Sequence, residues 1–100
     1  MVLVVFHVPT VYNDGEPIPA ELIELLMNAV LEITGGFTVV WAEGAWLHEG
    51  SLIREPVMRV CTGVPEGNVE SFVQMIDSCL KTDFEQIATW IEVDGKPSIL

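Results

Sequence analysis

Two stretches with the 3.6-residue period of an amphipathic helix interrupt a chain that otherwise alternates with the period of a β-strand. In the first, Leu22, Ile23, Leu26, Met27, Val30 and Ile33 fall on one helical face. Pro19 suits the opening turn, Glu21 and Glu24 complement its positive end, and Gly35-Gly36 stops it. In the second, Asn68 is placed to cap a helix whose stripe is Val69, Phe72, Val73, Ile76, Cys79 and Leu80. The segments Val2 to Val8, Phe37 to Leu47, Leu52 to Val64 and Gln86 to Val93 are rich in β-branched and aromatic residues and read as strands. The resulting order β-α-β-β-α-β predicts a ferredoxin-like α+β fold. Right-handed crossovers put the first and third strands in the middle of a four-stranded antiparallel sheet, with both helices on one face. A turn at Asp94-Gly95 returns the tail PSIL as a short extra strand. One hundred residues, half of them apolar, suffice for one domain spanning 1–100.

The segment GGFTVVWAEGAWLHEGSLIREP, residues 35 to 56, fixes how the hairpin is laid out. If its turn centres on Glu49 and Gly50, residues whose numbers sum to about 99 lie opposite one another. Thr38, Val40, Ala42, Gly44 and Trp46 then share a face with Ile53, Glu55, Val57, Arg59 and Cys61. Phe37, Val39 and Trp41 share the other with Met58 and Val60, a set that suits the core beneath the helices. In the last strand, Ile87, Thr89, Ile91 and Val93 are expected to face the core, turning Gln86, Trp90 and Glu92 outward. In the first, Leu3, Val5 and His7 turn outward too. The face without helices therefore joins Leu3, Val5, Trp46, Ile53, Val57 and Trp90 to His7, Glu55, Arg59 and Gln86. It is too apolar to stay bare, so a second subunit or a small ligand should cover it.

Within that face, Gly44 and Ala42 leave room beside Trp46, and Glu55 lies straight across from Gly44. A carboxylate held against tryptophan away from water has its pKa raised, the condition for proton transfer. The competing reading makes Glu55 a strut, paired with Arg59 or hydrogen-bonded to Gln86. His7 is the other proton-transfer candidate, although a histidine in a central strand more often serves structure. Trp46, Glu55, Arg59, Gln86 and Trp90 are the expected ligand contacts. His48 belongs to the turn. No histidine or cysteine pair has metal-ligand spacing, and the NDGE of residues 13 to 16 lacks the ligand series of a calcium loop. No cofactor motif or activated nucleophile is present.

Fifteen acids against four bases give a net charge of −11, which repels phosphate backbones and anionic lipid surfaces. Nucleic acid and membrane are thereby disfavoured as partners, and a basic protein becomes a conceivable one. Cys61 and Cys79 sit in apolar patterns and read as reduced thiols, which with the absence of a leader or apolar span points to the cytoplasm.

The chain resembles small uncharacterised bacterial and phage domains of ferredoxin-like fold in GGFT at 35–38, GAW at 44–46, Glu55, and EQIATWIEV at 85–93. Its architecture is similar to that of PII-like signalling proteins and of dimeric α+β barrel proteins. Likeness to PII-like proteins implies trimers that bind nucleotides at subunit clefts, but the basic cluster that would hold the phosphates is missing here, which counts against a nucleotide sensor. Likeness to the dimeric α+β barrel proteins implies a site on the open sheet face, at His7, Trp46, Glu55, Arg59, Gln86 and Trp90. These readings predict a homo-oligomeric binding or regulatory module that associates through the open face and holds a small ligand there. The alternatives are a cofactor-independent barrel enzyme, isomerase- or monooxygenase-like, using Glu55 or His7 with Arg59 on an anionic substrate, and an acidic phage-type inhibitor of a host protein.

Overall fold

The computed structural model describes residues 1–100. In chain order it comprises β1 (Val2–Pro9), α1 (Ala20–Thr34), β2 (Thr38–His48), β3 (Ser51–Val64), a 3-10 turn at Glu66–Asn68, α2 (Val69–Thr82), β4 (Trp90–Val93) and β5 (Lys96–Ile99). All strands join one antiparallel sheet in the order β2-β3-β1-β4-β5. The fold is thus α+β with two helices and five strands. The four-stranded expectation is extended by β5, which doubles back at Asp94-Gly95 and forms the sheet's second edge. No helix is long and apolar enough to cross a membrane.

The turns follow from residue type. Glu49 and Gly50 both take positive φ, 51° and 81°, as do Asp94 and Gly95 at 53° and 79°, the mirror-image turn that matches the twist of a two-residue hairpin. Gly35 ends α1 in the left-handed region at φ 80° and donates its N–H to the Leu31 carbonyl at 2.8 Å. Asn68 stands where α2 begins, but its side chain makes no capping bond; the preceding 3-10 turn leads into the helix instead.

The core lies between the helices and the face of β1, β3 and β4 that carries Val4, Phe6, Val8, Met58, Val60, Val64 and Ile91. Leu26, Met27 and Val30 of α1 and Phe72, Ile76 and Leu80 of α2 close over it, with Phe72 edge-on to Phe6 at 6.1 Å. Buried polar groups are satisfied: the Thr62 hydroxyl donates to the Gly36 carbonyl at 2.6 Å and the Thr89 hydroxyl to Asp77 Oδ1 at 2.7 Å.

The β2–β3 hairpin outruns this core. β1 pairs with β3 only from Val57 to Val64, and Thr10 donates to the Pro56 carbonyl at 3.4 Å, so beyond that point residues 44–48 and 51–55 bond to each other alone, an arm of roughly 17 Å at about 3.3 Å per residue. Two expectations fail for related reasons. Trp41 does sit on the helix-side face with Met58, but neither helix reaches it and it is 71% exposed rather than core. The last strand begins at Trp90 rather than Gln86, and Ile87 is 67% exposed rather than core-facing. Before Trp90 the chain is irregular, with Glu85 at φ 54° and its carbonyl accepting from Asn13 Nδ2 at 3.1 Å.

Candidate functional site

The observed register is the one the turn dictates. His48 opposes Ser51, Gly44 opposes Glu55 and Thr38 opposes Cys61 without a bulge. On the open face, a cleft of about 350 Å³ lies between the base of the arm, the irregular segment before β4 and the loop after β1. Gly44, Ala45, Trp46, Glu55 and Val57 form one wall, and Gln86, Ile87, Ala88, Thr89 and Trp90 the other. His7, Pro9, Asn13, Leu80 and Ile99 complete the lining.

Of the residues singled out in the sequence, His7, Trp46, Glu55, Gln86 and Trp90 are brought together around this cleft, and Arg59 is not. Arg59 is engaged on the sheet: its Nη2 lies 3.3 Å from Glu92 Oε1, and its Nη1 donates to His7 Nε2 at 2.9 Å. The indole N–H of Trp90 donates to the same Glu92 carboxylate at 3.3 Å. His7 stacks on Trp90, ring centres 6.0 Å apart and planes 14° from parallel. Because the guanidinium only donates, His7 Nε2 must be the bare nitrogen and the proton sits on Nδ1. Burial, and then the charge of Arg59, hold the His7 pKa below its usual value; Glu92 opposes them weakly.

Neither strut proposed for Glu55 forms. Arg59 pairs with Glu92, and Gln86 Nε2 donates to the Phe84 carbonyl at 3.0 Å. The Glu55 carboxylate has no hydrogen-bond partner or counter-ion, and burial pushes its pKa up. Gly44 creates the recess: a Cβ built there meets Glu55 Cγ at 3.9 Å and Val57 Cγ1 at 3.8 Å, so anything larger than alanine would fill the space over the carboxylate. Trp46, 38% exposed, flanks it with the His48 ring edge-on at 5.3 Å.

Sequence reasoning overlooked Asn13, Ile87, Thr89 and Ile99. Asn13 had the look of a turn residue, and only its bond to Glu85, 72 positions away, brings it to the cleft. Ile99 was discoverable, since a tail returning from Asp94-Gly95 must lie opposite Trp90.

The two titrating groups pull stability in opposite directions. His7, with its folded pKa lowered, contributes stability that is complete above its unfolded value of about 6.5 and is lost as pH falls through the folded value. Glu55, with its folded pKa raised, contributes stability that is complete below its unfolded value of about 4.3 and is lost as pH rises through the folded value. Melting temperatures from pH 4 to 8 should therefore show a loss below about pH 6 that His7→Gln removes, and Glu55→Gln should gain stability at neutral pH. A neutral-pH loss in Glu55→Gln would mean that the carboxylate is a strut after all.

No family model and no curated protein matches the chain. Solved structures do share its fold. It is similar to a phage SAM lyase in complex with S-methyl-5′-thioadenosine, with a TM-score of 0.71 and 16% identity over 99% of this chain and 86% of that one. The apo state of a phage SAM lyase gives a TM-score of 0.67 over the same shares, again at 16% identity. A point mutant of CutA1 from Pyrococcus horikoshii OT3 gives 0.66 at 13% identity, over 93% and 80%. At these identities the likeness establishes the α+β fold, which the chain shares along nearly its whole length.

Proposed function

We propose that the chain is a self-associating module whose open-face cleft binds a nucleoside thioether of the S-adenosylmethionine and S-methyl-5′-thioadenosine kind. The observation that carries this reading is the solitary, half-buried carboxylate of Glu55 in an aromatic-walled recess with no free cation. At about 350 Å³ the cleft falls at the lower end of ligand pockets, roughly 300–1,000 Å³. Trp46, Trp90 and the stacked His7 suit a flat base, and Asn13 and Gln86 supply amides at the rim. With Arg59 committed to Glu92 and His7, the lining holds no free cation to pair with a net-anionic substrate, which disfavours the barrel-enzyme reading. A sulfonium suits both Glu55 and the indole faces, because a cation over tryptophan gains about 0.5–2 kcal/mol. The ligand named with the phage lyase is of this class. Self-association is supported by exposed apolar residues on the sheet outside the cleft lining, Leu3, Val40 and Ile53 among them.

A second reading, a lyase acting on S-adenosylmethionine, is favoured by the missing partner of Glu55. When the arm's own carboxylate attacks the carbon bonded to sulfur, the new C–O bond closes a lactone as the C–S bond breaks, the electron pair returns to sulfur and S-methyl-5′-thioadenosine is left; an unpaired carboxylate in the cleft can hold the sulfonium in position for that step. Calorimetric titration of both compounds, with chromatography of the S-adenosylmethionine mixture, tests the two readings together. Micromolar binding of either compound is expected, and accumulating thioether marks turnover. Absence of heat with both at near-millimolar protein would sink the ligand class.

A further inference from the structure

The sheet has two free edges, and they are built differently. In a two-residue antiparallel hairpin the pair flanking the turn exchanges both backbone hydrogen bonds, and bonded and unbonded pairs then alternate. In β4–β5 this makes Val93 and Lys96 a bonded pair, a phase upheld by Thr89 and Leu100, which exchange bonds at 3.3 and 3.0 Å. The outward positions of β5 are then Pro97 and Ile99, and Pro97 has no N–H to offer. Such a proline is one of the ways natural sheets guard an edge.

In β2–β3 the bonded pair at the turn is His48 and Ser51, so the even-numbered residues of β2 bond to β3. Val39, Trp41, Glu43, Ala45 and Leu47 aim five N–H and five carbonyl groups away from the sheet. β2 contains no proline or lysine, no bulge interrupts it, and neither helix covers it. Its side chains are also those an interface needs, with Val40 52%, Trp41 71% and Leu47 73% exposed. Charge singles out the same strand. On a chain of net charge −11, the only ionisable carboxylate of β2 is Glu43, which is neutralised by Arg54 at 2.9 Å. Two copies that repel elsewhere can meet here.

We infer that the free edge of β2 pairs with a strand from a second copy of this chain, so that the sheet continues across the subunit boundary. Gly44 and Trp46 stand on the cleft side of β2. The added strand therefore sets its own side chains beside them, and the wall of the cleft is completed by the second copy. The pairing stands independently of which ligand the cleft holds.

Residue-resolved amide hydrogen exchange on the native chain, read from micromolar to near-millimolar concentration alongside solution mass, tests this. As mass rises, the amides of Trp41, Glu43 and Ala45 should slow at least tenfold, while those of Ala42 and Gly44, already bonded to β3, change little. A chain that stays monomeric across the range, or an oligomer in which the odd-numbered amides keep exchanging freely, overturns the inference. As a variant, Ala45→Pro deletes one outward N–H and spares the bonds between β2 and β3. It should weaken association at least tenfold with unchanged circular dichroism. Undiminished association counts against edge pairing. Should Ala45→Pro fail to fold, Trp41→Lys places a charge beside the same edge with the same expected loss. Thioether titration into Trp41→Lys, whose substitution lies outside the cleft lining, separates failure of the edge from failure of the ligand class.

Discussion

Glu55→Gln should bind S-adenosylmethionine about 10–100-fold more weakly than the native chain while holding S-methyl-5′-thioadenosine within about threefold. The substitution keeps the side chain's shape and removes only its charge, and no protein group in the fold depends on that charge. The lost factor corresponds to the roughly 1.5–3 kcal/mol of one contact to a charged group. The same loss should appear in the native chain when pH is lowered through the raised pKa of the carboxyl, and the variant should not show it. Paired calorimetric titrations across pH decide the matter. Equal weakening of both compounds would show that Glu55 shapes the cleft without reading charge.

Arg59→Leu is expected to act on stability. Its guanidinium spans Glu92 and His7, and the side chains of the ion pair are only 36% and 20% exposed. Exposed pairs are worth about 0–1 kcal/mol, whereas removing one partner of a fully buried pair costs about 3–5. A half-buried pair falls between, so a loss near 2 kcal/mol is expected. That lowers Tm by roughly 10 °C in a domain this small. His7 supplies a second readout, because Arg59 helps hold its pKa down and the ring should then titrate at higher pH by NMR. An unchanged Tm together with an unchanged His7 titration would remove Arg59 from this positioning role. The contrast with Arg54 is instructive, since its pair with Glu43 is 66% and 61% exposed and its loss should cost under about 1 kcal/mol.

Much of this architecture was legible because local chemistry and global pairing agree. Two helical stripes fixed the element order, and a turn demanding positive φ at Glu49 and Gly50 set the hairpin register, which placed Gly44 against Glu55. What escaped was coverage. Alternation assigns a side chain to a face and is silent on whether anything packs there, so Trp41 could be sided correctly and still stand in the open. The same limit explains Ile87, whose alternating context continues past the point where the strand ends. There Glu85 adopts a left-handed backbone held by Asn13, a long-range bond without a local signature. The pairing choice of Arg59 was likewise open: Glu55 is close in sequence, but Glu92 reaches it across β1.

The strand that supplies Gly44, Ala45 and Trp46 to the cleft is also the strand with the unsatisfied edge. If the cleft binds a ligand and the edge pairs with a second copy, as proposed, affinity and assembly become two equilibria written on one β-strand, and thermodynamic reciprocity ties them: whatever factor assembly adds to affinity, saturation must return to assembly. Such a chain would respond to dilution as an effector, releasing its ligand as its own concentration falls.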